Sequence, residues 1–190
     1  MNLEARLLEK PRWRRSMVVG VFRIVAGVLV LAFCFAQVEI QIEGSSGWAA
    51  SLPTWRVEHH PLLEIFWGGR PLTGYHAWVF LFMALVFHWP YAAGLPPSWG
   101  MEARILGSLM IFWIVEDFLW FLLNPAFGWS RFHPEAIPWH RHWCLGVPTD
   151  YVVFLIAGGA MLTWSFWRSV RVVSKSADAG FVVDSAGSSP

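Results

Sequence analysis

The chain has 190 residues, enough for one domain, of which 56% are hydrophobic and only 14% charged. Soluble domains carry about 25% charged residues, so this composition excludes an ordinary soluble domain and places the chain with membrane proteins. A formal net charge of +1 provides no global field that would draw a nucleic acid.

Four apolar stretches approach the ~20 residues that a helix needs to span about 30 Å of hydrocarbon. In chain order they cover 17–38, 74–93, 104–123 and 151–167. The first follows Arg12, Arg14 and Arg15 and carries Arg23 about two turns in, where its guanidinium can snorkel to the headgroups. A basic front also heads a signal peptide, but no small-x-small cleavage site follows the core, so the stretch reads as a retained helix. Pro90 and the 94–97 segment end the second stretch, and Asn124-Pro125 ends the third. The expected fold class is an all-α membrane protein. A four-transmembrane-helix bundle over 17–170 follows a basic N-terminus, 1–16, and precedes a disordered tail, 171–190, rich in Ser, Ala, Gly and Asp.

Lysine and arginine set the direction. The N-terminus, the loop before Arg104 and the start of the tail hold nine of them. The other two loops hold four, namely Arg56, Arg70, Arg131 and Arg141. The positive-inside rule then puts both termini in the cytoplasm of a multi-pass protein. Two long loops, 39–73 and 124–150, fall outside. They are rich in Pro, Gly and Trp and too apolar for solvated linkers, so they are expected to fold onto the helix ends. The 14 tryptophans suit a membrane interface, where an apolar ring and a polar N–H are both accommodated.

The third stretch contains Glu116 and Asp117 side by side in apolar surroundings. An acid at that depth costs on the order of 2.5–3.5 kcal/mol on insertion scales, so it faces the bundle interior and pairs with something. Neighbouring positions differ by about 100° around a helix, so the two acids point to different faces. Partners in reach include Arg23 or an indole N–H. Asp150, before the fourth stretch, reads first as a helix N-cap together with Thr149.

Six of the seven histidines fall on the outer side under this topology; only His88 lies toward the cytoplasm. The segment from His133 to Cys144 is the richest. An extended strand would align His140, His142 and Cys144, whereas a helix would align His140 with Cys144. In the first outer loop, His59 and His60 precede Pro61, and a helix starting there would put His60 and Glu64 on one face. His76 sits at the outer mouth of the second stretch. Imidazole and thiolate ligands suit zinc, iron or copper. The expected site is thus a metal centre of His133, His140 and His142, then His60, His59 and His76, with Glu116 and Asp117 as catalytic acids or proton relays. A haem or chlorin on a single histidine ranks behind it, because His76 and His88 are separated by about 18 Å of helix.

No His box, His-Glu-x-x-His helix, Gly-x-Ser-x-Gly turn, Cys-x-x-Cys or Glu-x-x-His pair is present. Cys34 lies in an apolar run and Cys144 in a polar loop, so no disulfide framework is implied. The leading expectation is a membrane metalloprotein, with a metal activating water or dioxygen on a lipid-soluble substrate. Two others stand beside it. One is a non-catalytic subunit or assembly factor of a pigment or redox complex. The other is a small proton-coupled transporter that works as a homo-oligomer.

Overall fold

The computed structural model describes residues 12–186 and is mostly helical. The long helices are α1 (Arg12–Glu43), α3 (Gly74–Ala92), α4 (Trp99–Leu123) and α5 (Thr149–Ala186), with a short α2 (Pro61–Phe66) between α1 and α3. Three of them are long and apolar enough to cross a membrane, over Val18–Glu43, Trp99–Leu123 and Thr149–Ser169. The stretch expected at 74–93 forms α3 but is not among those three spans.

Two bounds differ from expectation. The first helix does not stop at Val38, because helical spacing puts Ala36, Glu39, Ile40 and Glu43 on one buried stripe, and Gly44 at φ +64° ends it. The last helix runs past 167 and into the segment expected to be disordered, since no proline interrupts 149–186. Residues 187–190, the end of that expected tail, lie outside the described residues, as do Arg6 and Lys10 of the basic N-terminus.

Helix α4 is the centre of the bundle and packs along both α1 and α5. Helices α1 and α4 run parallel. Val28 and Ala32 share one buried cluster with Phe112, Ala36 and Ile40 share the next with Trp120 and Phe121, and Asn124 Nδ2 donates to Gly44 O at 2.8 Å. Helices α3 and α5 both run antiparallel to α4. Met83 meets Phe112, and Gly158 meets Gly107. At that last crossing a Cβ on Gly107 would stand 2.8 Å from Gly158 O, so only glycine permits the approach. Small residues at a crossing let the two backbones approach closely and gain van der Waals contact. Ser165 Oγ extends the seam, donating to Gly100 O at 2.7 Å and accepting from Arg104 Nε at 3.0 Å.

The outward faces are apolar: Phe22, Val25, Leu29 and Phe33 on α1, and Trp78, Leu81, Phe82, Leu85 and Trp89 on α3, are all exposed. Both loops are tied down. Strand β1 (Arg56–Val57) pairs antiparallel with β2 (Leu72–Thr73), bracketing α2. A second pair, β3 (Trp143–Cys144) and β4 (Val147–Pro148), makes a two-residue hairpin over Leu145 and Gly146. Between α4 and β3 a single 3₁₀ turn, Trp129–Arg131, leads into Ile137 and Trp139, which pack against the α1–α4 cluster.

Candidate functional site

The end of the bundle onto which the two long loops fold holds a cavity of about 180 Å³. Every long helix contributes: Glu39 and Glu43 from α1, His76 and Phe80 from α3, Trp113, Glu116 and Asp117 from α4, and Asp150, Tyr151 and Phe154 from α5. The loops add Trp48, Trp67, Arg70 and Trp139. Beneath it, Val28, Ala32, Met83 and Phe112 form a buried apolar layer.

The adjacent acids diverge as helix geometry requires, and each founds its own network. Glu116, 2% exposed, turns to α1 and lines the cavity together with Glu39. Glu39 Oε1 accepts from the Tyr75 hydroxyl at 2.9 Å. One helical turn on, Glu43 Oε1 accepts from the Ala49 amide at 2.6 Å and lies 3.8 Å from His76 Nε2. The other ring nitrogen of His76 shares a 2.7 Å hydrogen bond with Thr73 Oγ1, the N-cap of α3. Trp48 stacks on the same imidazole with ring centroids 4.1 Å apart. This network holds three glutamates, with no lysine or arginine bonded to them among the described residues.

The second network is balanced. Asp117 turns to α5 and the loop, and its Oδ2 accepts both from the Tyr151 hydroxyl and from His140 Nε2, the latter at 3.1 Å. His140 Nδ1 lies 3.5 Å from Asp150 Oδ1, and Arg70 donates to the other oxygen of Asp150. Burial works against a charged His140, but the carboxylates of Asp117 and Asp150 outweigh it and hold its pKa above the usual imidazole range. The Arg70 guanidinium also lies over the Trp48 ring, 5.1 Å from its centroid, which links the two networks.

The six histidines expected as metal ligands do not converge. Among the described residues no group of three or more His, Cys, Asp and Glu side chains could hold a metal ion. Local structure gives each imidazole a different place. His60 caps α2, its Nδ1 accepting from the Leu62 amide at 3.2 Å, which turns it away from Glu64. Glu64 instead pairs with Arg141 at 2.9 Å. His133 pairs with Glu135 at the surface, and His59 and His142 are exposed. Only His76 and His140 reach the cavity networks. Arg23 lies on the exposed side of α1, sixteen residues before Glu39 and so about 24 Å away, too far to meet either acid of α4. Asp150, read as a cap, lies in the first turn of α5 and serves as the hinge between Arg70 and His140. Cys34 and Cys144 are both free and exposed.

Sequence reasoning missed Glu39, Glu43, Arg70, Tyr75 and Tyr151. The signal for the first two was present: Glu39 and Glu43 continue the stripe of Ala32 and Ala36 at helical spacing. Compared with protein-family models, with curated proteins and with solved structures, the chain has no match.

Proposed function

We propose that this chain is an intramembrane acid–base enzyme, crossing the bilayer four times and acting on a small lipid-soluble molecule in the outer cavity. The observation that carries the reading is the pairing of two differently set carboxyl groups on neighbouring residues. Glu116 is buried with its Oε1 unpartnered, whereas Asp117 accepts from Tyr151 and His140. Carboxyl groups held in contrasting environments within one cavity are how acid and base roles are divided at a single pH. Asp117 takes a proton from a substrate carbon, and the Glu39–Glu116 pair returns one at another position. The net change in the substrate is an isomerisation, and after product leaves, Asp117 releases its proton to water and the Glu39–Glu116 pair takes one up from water. His140 and Tyr151 hold Asp117 in place, and the aromatic walls exclude water.

The fourth crossing is supported by direction. Parallel α1 and α4 begin at the same side of the bundle, so the chain must return between them, and α3 is the antiparallel helix that returns it. The Lys and Arg distribution supports both termini in the cytoplasm. A proton-coupled transporter would need a polar path through the bundle. The apolar layer of Val28, Ala32, Met83 and Phe112 beneath the cavity favours a one-sided site instead.

The test is deuterium incorporation. Full-length protein in nanodiscs is incubated in D₂O with a bacterial lipid extract, and lipid-soluble products are read by mass spectrometry. The wild type is expected to add deuterium to at least one component, and Asp117→Asn is expected to abolish this. Identical spectra for the two proteins would reject the enzyme reading.

A further inference from the structure

Four buried side-chain atoms among the described residues lack a hydrogen-bond partner: Trp67 Nε1, Arg70 Nε, Glu116 Oε1 and Trp120 Nε1. All four belong to residues that line the cavity. Trp120 is 3% exposed and Glu116 2%, so neither has bulk solvent to turn to. An unpaired buried polar atom is destabilising, and their concentration at one place marks where a ligand gains most by binding.

The chemistry of these atoms selects the ligand. Three of the four are N–H donors, so the ligand must bring acceptors. A cation would leave all three unmet. An anion would lie among Glu39, Glu43, Glu116 and Asp117, and the charge of Arg70 is already matched by Asp150. A hydrocarbon would satisfy none of them. A neutral molecule with a carbonyl oxygen meets the N–H groups, and a protonated Glu116 can donate to the same oxygen. Size narrows the choice. A dry cavity of about 150 Å³ accepts benzene, so about 180 Å³ holds one six-membered ring with small substituents. Access is from the bilayer. Helices α3 and α5 both border the cavity yet scarcely touch each other, and Phe154 at that edge is 37% exposed.

We propose that the cavity binds a neutral, lipid-soluble carbonyl compound through a single six-membered ring, with its oxygen on the indole N–H groups of Trp67 and Trp120 beside Glu116. The proposal builds on the acid–base reading of the same cavity. A proton α to a carbonyl, or conjugated with it, is one that Asp117 can remove while Glu116 protonates the oxygen, giving the enol without net loss of a proton. Two sources offer this chemistry, a quinone headgroup and a cyclic enone of the terpenoid kind.

The test is calorimetric titration of the full chain in nanodiscs, with empty nanodiscs subtracted for partitioning. The probes are a decyl-substituted dimethoxybenzoquinone, 3-decylcyclohex-2-enone and decylcyclohexane. At least one carbonyl probe is expected to saturate at one per chain and to bind at least tenfold more tightly than decylcyclohexane. Whichever carbonyl probe binds more tightly identifies the source. Trp120→Phe, which keeps a ring and removes the N–H, is expected to weaken that probe about five- to tenfold. If Trp120→Phe does not fold, Trp67→Phe gives the same comparison. The proposal is overturned if the carbonyl probes bind no better than decylcyclohexane, or if a folded indole variant binds them as the wild type does. Saturable, indole-dependent binding without any deuterium incorporation would leave this assignment standing and remove the enzyme reading alone.

Discussion

His140 Nε2 lies 3.1 Å from Asp117 Oδ2, so a histidine of the loop between α4 and α5 and an acid of α4 meet each other directly. Asp150 approaches the opposite ring nitrogen, Tyr151 shares the same oxygen of Asp117, and Arg70 faces Asp150 from the loop. Because the folded pKa of His140 is raised, its contribution is complete below the unfolded value of about 6.5 and is lost as pH rises through the folded one. The melting temperature of the purified protein should therefore fall as pH is raised above about 6.5. His140→Gln should flatten that dependence and lower stability at acidic pH. A profile unchanged by His140→Gln would show that this imidazole carries no linked proton.

The meeting of His140 with Asp117 also marks how far the sequence could be read. Hydrophobic runs located the helices, because length and apolarity are local properties. The divergence of Glu116 and Asp117 followed from the helical angle alone. Their partners did not. Glu39 and Glu43 interrupt an apolar count and so looked like the start of a loop, although Ala36 and Ile40 place them on the buried stripe. Arg70 and Asp150 are eighty residues apart, and nothing local joins them. The histidines looked like a ligand set because the Lys and Arg count assigned six of them to one side of a membrane. Sharing a side is a coarse constraint, and the cap of α2 and the β3–β4 hairpin distributed them to separate tasks.

The Glu39–Glu116 contact should respond to the kind of substitution as well as to its position. Glu116→Gln keeps the shape of the side chain and brings an amide that can donate to Glu39, so its stability should stay within about 1 kcal/mol of the wild type. Glu116→Ala leaves Glu39 with Tyr75 alone and should cost about 1–3 kcal/mol. Both should lose deuterium incorporation, which separates the structural role from the chemical one. Thermal melts in nanodiscs measure the first part, and equal destabilisation by the two variants would argue against the pair.

At the α4–α5 crossing, the expected effect is steric. Gly158→Val puts carbon atoms where Gly107 O, Met110 and Ile111 already stand, at 3.0 to 3.3 Å from the first added atom. Overpacking against backbone cannot be relieved by a rotamer change and costs about 1–3 kcal/mol. Gly159→Val, one residue on, meets nothing within 4 Å and should lose far less. A matched pair of melting curves decides the point, because similar losses for both variants would mean the helices do not touch at Gly158.

The β3–β4 hairpin contains a residue that the fold tolerates without benefit. Leu145 takes φ +54° in the two-residue turn and Gly146 takes +80°, so both are left-handed, as a type I′ turn requires. A side chain branched at Cγ gains nothing there, since Leu145 is 95% exposed and packs on no core. The left-handed conformation costs a non-glycine residue roughly 1–2 kcal/mol, and asparagine lowers that cost by bonding locally. Leu145→Asn should therefore raise stability by about 0.5–1 kcal/mol, with Leu145→Gly close behind. The hairpin positions His142 and Thr149 across a 2.9 Å hydrogen bond at the start of α5, so a firmer turn should also slow amide exchange at Thr149. A drop in melting temperature for Leu145→Asn would mean instead that the exposed leucine is anchored outside the chain, at the membrane surface.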